Sequence, residues 1–326
     1  MKNNQELVEF VKTHYHLEIL QVAKLTDKVF KLEAPAQEYL LKFTSGEPDF
    51  LMNQLYANKE LPENVLPVYE TQSATLTVPV ANGFAYLTDY VGQIPMPFEN
   101  RVRDYATLLG KLHAATEIVV DKNDDEISWM YHDDYQRLAD NFTTLKTLVK
   151  QYELKISRSP FEWQILMMYP LLYGMFWRSD AALKKFYQLL SQKKKLPVAL
   201  VHVDVNVANV LPNAKASKLI NFEHSSFDIP SQDMLKFISH YHQSGGVAKI
   251  ITDYLNSQTN KLVVHSFFMK SLCVDLKGLV ASFSQNSLID ISLLNEKIAV
   301  SLMAMQIYDE INAPKKPNKT PKPEKA

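Results

Sequence analysis

Apolar residues in QELVEFVKTH recur at helical spacing, so the pattern predicts a short helix over residues 5–14. The period then shortens. Residues 17–24, 28–33 and 38–44 are β-rich runs separated by turn-like Thr26-Asp27 and Pro35-Ala36, and they predict three strands. A helical stretch over 49–60 begins just after Pro48 and stops before Pro62. Three more strands are expected at 65–70, 74–80 and 84–90. Residues 89–97, DYVGQIPMP, carry one glycine and two prolines and make the best linker in the chain. Beyond them the pattern is mostly helical, with expected helices at 102–116, 131–153, 161–193, 232–243, 247–256, 261–282 and 287–312. One interruption, residues 196–229, reads as loop, strand, turn, strand. The closing PKKPNKTPKPEKA, residues 314–326, has the Pro/Lys composition of a disordered basic tail. No internal repeat is visible.

Composition narrows the class. At 46% hydrophobic and 22% charged residues, the 326-residue chain can bury a large core, and its length suits two lobes. The formal charge is −1, but the tail holds five Lys and one Glu, which leaves −5 on residues 1–313. A body of that sign has no overall attraction for phosphate backbones, so nucleic-acid binding is not expected. Cys273 is the only cysteine, which excludes intramolecular disulfides and Cys-rich zinc sites. The longest apolar passage, 163–177, is interrupted by Gln164 and Pro170 and falls short of the ~20 residues of a membrane span. It reads as a buried core helix. The first residues, MKNNQELVEFVKTHYH, lack a signal peptide's apolar stretch, so a cytoplasmic location is expected.

The chemically informative stretch is LVHVDVNVANVLPNAKASKLINFEHSSFDIPSQDMLKFI, residues 200–238. Apolar Leu200 and Val201 lead into His202-Val203-Asp204, and Asn209 follows five residues after the aspartate. A hairpin formed by 210–211 and 218–220 then delivers Asn221-Phe222-Glu223. Polar groups at both ends of an otherwise apolar hairpin converge on one point. An aspartate placed to accept a proton, beside an asparagine placed to ligate a cation, suits phosphoryl transfer to a hydroxyl.

On these residues the chain resembles the aminoglycoside phosphotransferase and choline kinase group, whose fold is protein-kinase-like. The group's catalytic loop reads H-G-D-x-x-x-x-N, followed by [IV]-D-[FW]-[DE] and a later Asp before a helix. His202, Asp204, Asn209, Phe222, Glu223 and Asp233 match in order and spacing. YATLLGKLHAAT, residues 105–116, looks like the group's helix after the hinge. Lys42 in YLLKF sits where its third-strand lysine belongs. The likeness covers about residues 15–310. Within the group, NFEHSS and SPFEWQILMMYPLLYGMFWRSD look most like bacterial spore-coat kinase-like proteins.

The resemblance implies an α+β, two-lobed fold, with a small β-rich lobe at 1–90 and a large helical lobe at 91–313 that carries the catalytic-type loop 200–223. It also implies an ATP- and Mg²⁺-dependent phosphotransferase acting on a small hydroxyl compound. Asp204 would be the catalytic base, Lys42 would pair the nucleotide phosphates, and Asn209 and Asn221 would hold Mg²⁺ weakly. His202 and Asp233 would brace the loop. The chain departs from the pattern at several points. The loop Lys24–Val29 has no glycine to let backbone N–H groups cradle phosphates. Val203 replaces the motif glycine, and Asn221 replaces the metal-binding aspartate with an uncharged amide. Glu47, Asp49, Gln54 and Glu60 are the candidate helix partners of Lys42, Gln54 being nearest the helix centre. These departures open the alternative of a pseudokinase, a binding or assembly protein of the spore coat with little or no turnover. His113 reads as a packed helix residue. His240 and His242, two apart on a helix, cannot share a metal.

Overall fold

The computed structural model of the chain describes residues 4–45, 49–281 and 287–313. The expected basic tail at 314–326 and the candidate partner Glu47 lie outside the described residues. The chain divides into two compact units, Met1–Trp129 with Phe186–Val247, and Met130–Lys185 with Ala248–Ala326.

The first unit opens with α1 (Asn4–Tyr15), followed by a sheet made from β1 (Gln21–Thr26), β2 (Val29–Glu33), β3 (Glu38–Thr44), β4 (Val68–Tyr69), β5 (Val78–Val80) and β6 (Gly83–Asp89). The strand order is β1-β2-β3-β6-β4, with β5 also on β6, and every pairing is antiparallel. Leu7 and Val11 of α1 pack against Leu32, Leu41, Ala85 and Leu87 of the sheet. The two-residue period of β3 therefore sends Lys42 to the face opposite Leu41. Its register neighbours are Val29 on β2 and Tyr86 on β6. The β5–β6 turn needs glycine: at Gly83, φ is +127° and an added Cβ would stand 2.0 Å from the Thr44 carbonyl oxygen.

The helix α2 (Phe50–Glu60) follows β3, and α3 (Phe98–Thr116) follows the linker. A second sheet, absent from the sequence expectation, has the order β11-β8-β7, with β8 (Lys195–Val201) between β7 (Ile118–Asp121) and β11 (Ser226–Asp228). Between β8 and β11 lie a 3-10 turn at Val207–Asn209, the hairpin of β9 (Val210–Leu211) and β10 (Lys218–Leu219), and a second 3-10 turn at Phe222–His224. The unit ends with α6 (Ser231–Tyr241).

Two long helices, α4 (Asp124–Glu153) and α5 (Pro160–Lys193), enter the second unit, which also holds α7 (Val247–Ser257), α8 (Lys261–Ser271), α9 (Leu276–Ala281) and α10 (Ser287–Asn312). The helix expected over 261–282 is thus two helices. The Asn141 side chain on α4 accepts the Lys277 N–H at 2.9 Å and caps the start of α9. The expectation that 163–177 is all core is corrected: Ile165, Leu172, Met175 and Phe176 are buried, whereas Trp163, Met167 and Trp177 are at least half exposed. A helix buries one stripe, and residues on the opposite stripe stay in water however apolar they are. No helix among the described residues is long and apolar enough to cross a membrane.

Candidate active site

The site is built on the C-terminal end of β8. Asp233, in the first turn of α6, is fully buried and accepts two consecutive backbone N–H groups, from His202 at 2.7 Å and Val203 at 2.8 Å. The His113 Nε2–H of α3 donates to the same carboxylate at 3.0 Å. Burial alone would push this carboxyl upward, but His113 and the His202 N–H together hold it below its ordinary value. Between these contacts the backbone at Val203 takes φ +67°. A β-branched residue is strained there, by ~1–2 kcal/mol. The Asp233 bond to its N–H and a 2.9 Å bond from Lys236 Nζ to its carbonyl hold it in place.

His202 is buried beneath the loop. Its Nε2–H donates to the Ile220 carbonyl at 2.8 Å, which ties β8 to the end of the β9–β10 hairpin. Its Nδ1 faces the Tyr105 hydroxyl at 3.2 Å, and that hydroxyl donates to the Asp204 carbonyl at 3.0 Å. His240 on α6 adds a 2.7 Å bond from Nδ1 to the Val205 carbonyl. Asn206 closes the following turn by accepting the Ala208 N–H at 2.9 Å. The loop is therefore fastened from below by α3 and α6, while Asp204 is exposed.

Asn209 is buried, and its Nδ2 donates to Asp204 twice, to the carbonyl at 2.8 Å and to carboxylate Oδ2 at 3.0 Å. The Asn209 Oδ1 accepts from Asn221 Nδ2 at 2.7 Å. Asn221 takes left-handed φ +63°, ψ +62°, a conformation asparagine tolerates well, and its Oδ1 faces Lys42 Nζ at 3.5 Å. Lys42, Asn221, Asn209 and Asp204 thus form one continuous chain of contacts. Desolvation lowers the Lys42 pKa, and the Glu223 charge works against that shift. Tyr86, across β3–β6 from Lys42, stands with its ring centroid 6.0 Å from Nζ.

Among the described residues the expected helix partners do not supply Lys42 with a bond. Gln54 is buried and spends its Nε2 on the Leu66 carbonyl at 3.0 Å, and Asp49 and Glu60 are exposed. The β1–β2 connection is a tight turn in which Thr26 accepts the Lys28 N–H at 3.2 Å and Lys24 pairs with Asp27 at 2.7 Å. Sequence reasoning missed Tyr105 and the bond from His113 to Asp233. The signal was present, because both lie about two turns apart on the amphipathic α3. It also missed Asn64, which holds the hairpin by donating to the Ser217 carbonyl at 3.0 Å and accepting the Leu219 N–H at 2.7 Å. An asparagine in a loop carries no mark of that contact.

No family model and no curated protein matches the chain. Solved structures do. An aminoglycoside phosphotransferase from Alicyclobacillus acidocaldarius superposes with a TM-score of 0.59 at 16% identity, over 89% of this chain and 93% of that one. The AMP-bound complex of a spectinomycin phosphotransferase gives 0.48 at 13% identity, over 95% of each chain. An amicoumacin kinase in complex with AMP-PNP and Ca²⁺ gives 0.46 at 12%, over 94% of each. The first likeness decides the architecture. The fold is α+β and kinase-like.

A divalent cation, which the sequence resemblance implies, would need the side-chain oxygens of Asn209 and Asn221 as ligands. Hard cations favour charged oxygens, and here both oxygens are amides that already face donors. The amide orientations are fixed by their partners, since Asn209 must turn its nitrogen toward the Asp204 carboxylate. Among the described residues no group of three or more His, Cys, Asp or Glu could hold a metal ion. As arranged, these residues do not fit a resident divalent ion.

Proposed function

We propose that the chain is a phosphotransferase-like protein of the kinase fold, which takes up a nucleotide such as ATP at Lys42 and presents a small hydroxyl compound to Asp204. The observation that carries this reading is the Asp204–Asn209 pair. One carboxylate oxygen is held by the Asn209 amide at 3.0 Å on a loop fastened from below, and the residue is exposed to an incoming hydroxyl. Asp204 would accept the hydroxyl proton as the substrate oxygen attacks the terminal phosphorus. The bond to the bridging oxygen breaks, and the nucleoside diphosphate leaves. Lys42, without a helix carboxylate to neutralise it among the described residues, would offer its ammonium to the phosphates.

The test is ATP-dependent phosphorylation of a panel of amino alcohols, choline-like compounds and aminocyclitols. Turnover should fall ~10²–10⁴-fold in Asp204→Asn, at unchanged melting temperature, because the change removes only the proton acceptor. Equal turnover in a folded Asp204→Asn variant would remove Asp204 from the reaction.

A second reading is favoured by the 2.7 Å bond between Asn221 and Asn209. Two groups expected to hold metal are satisfied by one another, which suits a pseudokinase whose cleft binds without turning over. The spore coat is the setting that NFEHSS suggests for it. The same assay separates the two readings, since the pseudokinase binds nucleotide and phosphorylates nothing.

A further inference from the structure

We infer that Asn221 takes the place of a divalent cation in holding the catalytic loop, so that Asp204 and Asn209 are positioned in this protein without a metal. Asn209 has one side-chain oxygen, and its nitrogen is committed to Asp204. Whatever approaches the oxygen must be positive or carry a donor proton. A metal is the first kind of group, and the Asn221 Nδ2–H at 2.7 Å is the second. A carboxylate at position 221 could not act this way, because an ionised carboxylate only accepts. It would face the Asn209 oxygen across 2.7 Å with lone pairs on both sides, and only a cation between them would make the arrangement favourable. The other half of the Asn221 amide completes the device. Its oxygen faces Lys42, so the amide dipoles of Asn221 and Asn209 are aligned from the ammonium toward the Asp204 carboxylate. Charge at the two ends of the chain is thereby compensated through two neutral side chains.

Asn221 is thus a positioning residue that acts through Asn209. The backbone supports it at no extra strain, since asparagine tolerates the left-handed conformation it adopts. The inference rests on the kinase-type reading of the cleft for what position 221 would otherwise hold. Its test needs neither nucleotide nor turnover, so the two can fail separately.

The experiment is amide hydrogen exchange of the full chain, with Mg²⁺ alone and with EDTA, followed at Asn209 and Ile220. These two N–H groups bond to the Asn206 and Asn209 carbonyls inside the loop. In the wild type both exchange rates should be the same with Mg²⁺ and with EDTA. In Asn221→Asp they should rise about tenfold in EDTA, about 1.4 kcal/mol of lost local protection, and return toward the wild-type rates in Mg²⁺. Titration with Mn²⁺ alone, read by the free-ion electron paramagnetic resonance signal, should show a site that depends on Asn221→Asp. Protection of the wild-type loop by Mg²⁺ would overturn the inference. So would an Asn221→Asp loop as protected as the wild type in EDTA, or a loss that Mg²⁺ does not reverse.

Discussion

At Val203 the backbone stands in a conformation that suits glycine, and a β-branched residue occupies it where the motif that the sequence resembles has glycine. The strain persists because the Asp233 carboxylate grips the N–H groups on both His202 and Val203. That makes Asp233 the residue on which loop geometry most depends. Asp233→Asn keeps the shape but removes the charge that His113 faces at 3.0 Å, and it should cost about 3–5 kcal/mol, as breaking a buried pair does. The pH dependence has a definite sign. The folded carboxyl titrates below its unfolded value of 3.8, so its contribution is complete above that pH and is lost as pH falls through the lowered folded value. Urea midpoints of wild type and Asp233→Asn should differ fully at neutral pH and converge below about pH 4. A constant difference down to low pH would contradict the charged, paired state of Asp233. At this scale the sequence was partly legible. His202, Asp204, Asn209 and Asp233 are marked by fixed spacing along one stretch. The contacts that orient them come from Tyr105 and His113 on α3, whose helical spacing marks them as sharing one face but does not name the loop that this face packs against.

At the scale of elements, β3, β6 and α10 lie within a residue of their expected spans, for different reasons. The buried positions of α10 recur every three or four residues, whereas β3 and β6 bury three and four consecutive residues and were marked by β-rich composition bounded by turn residues instead of by alternation. β7 was missed because Ile118 and Val119 are both exposed, so no two-residue alternation announces a strand. Its pairing with β8 is a long-range fact. The same sheet explains how the loop after β8 is placed. Leu200, one residue before β8 ends, donates its N–H at 3.0 Å to the Thr116 hydroxyl, which itself donates to the Leu112 carbonyl at 2.7 Å. The last turn of α3 and the strand that launches the loop are thus joined by a buried hydroxyl. Thr116→Val, nearly isosteric, leaves the Leu200 N–H buried without an acceptor and should cost about 1–3 kcal/mol in urea unfolding. A variant of wild-type stability would show that this hydroxyl does not tie helix to strand.

For the whole molecule, the order of strands, linker and helices made an α+β chain legible, the motif resemblance implied the kinase-like architecture, and the 0.59 superposition at 16% identity agrees with it. What the order of elements could not show is how the site would be wired. Every candidate site residue, from Lys42 to Asp233, falls in the first compact unit, where the amino-terminal sheet and the loop after β8 meet. The proposed function expects a nucleotide to bind at that meeting point, where Lys42 faces Asn221. Calorimetric titration of ADP and of AMP-PNP into wild type and Lys42→Met tests it most directly. The account predicts measurable binding to the wild type and at least about tenfold weaker binding, some 1.4 kcal/mol, once the ammonium is removed. Absence of binding heat for both nucleotides in the wild type, or equal affinity in Lys42→Met, would contradict it.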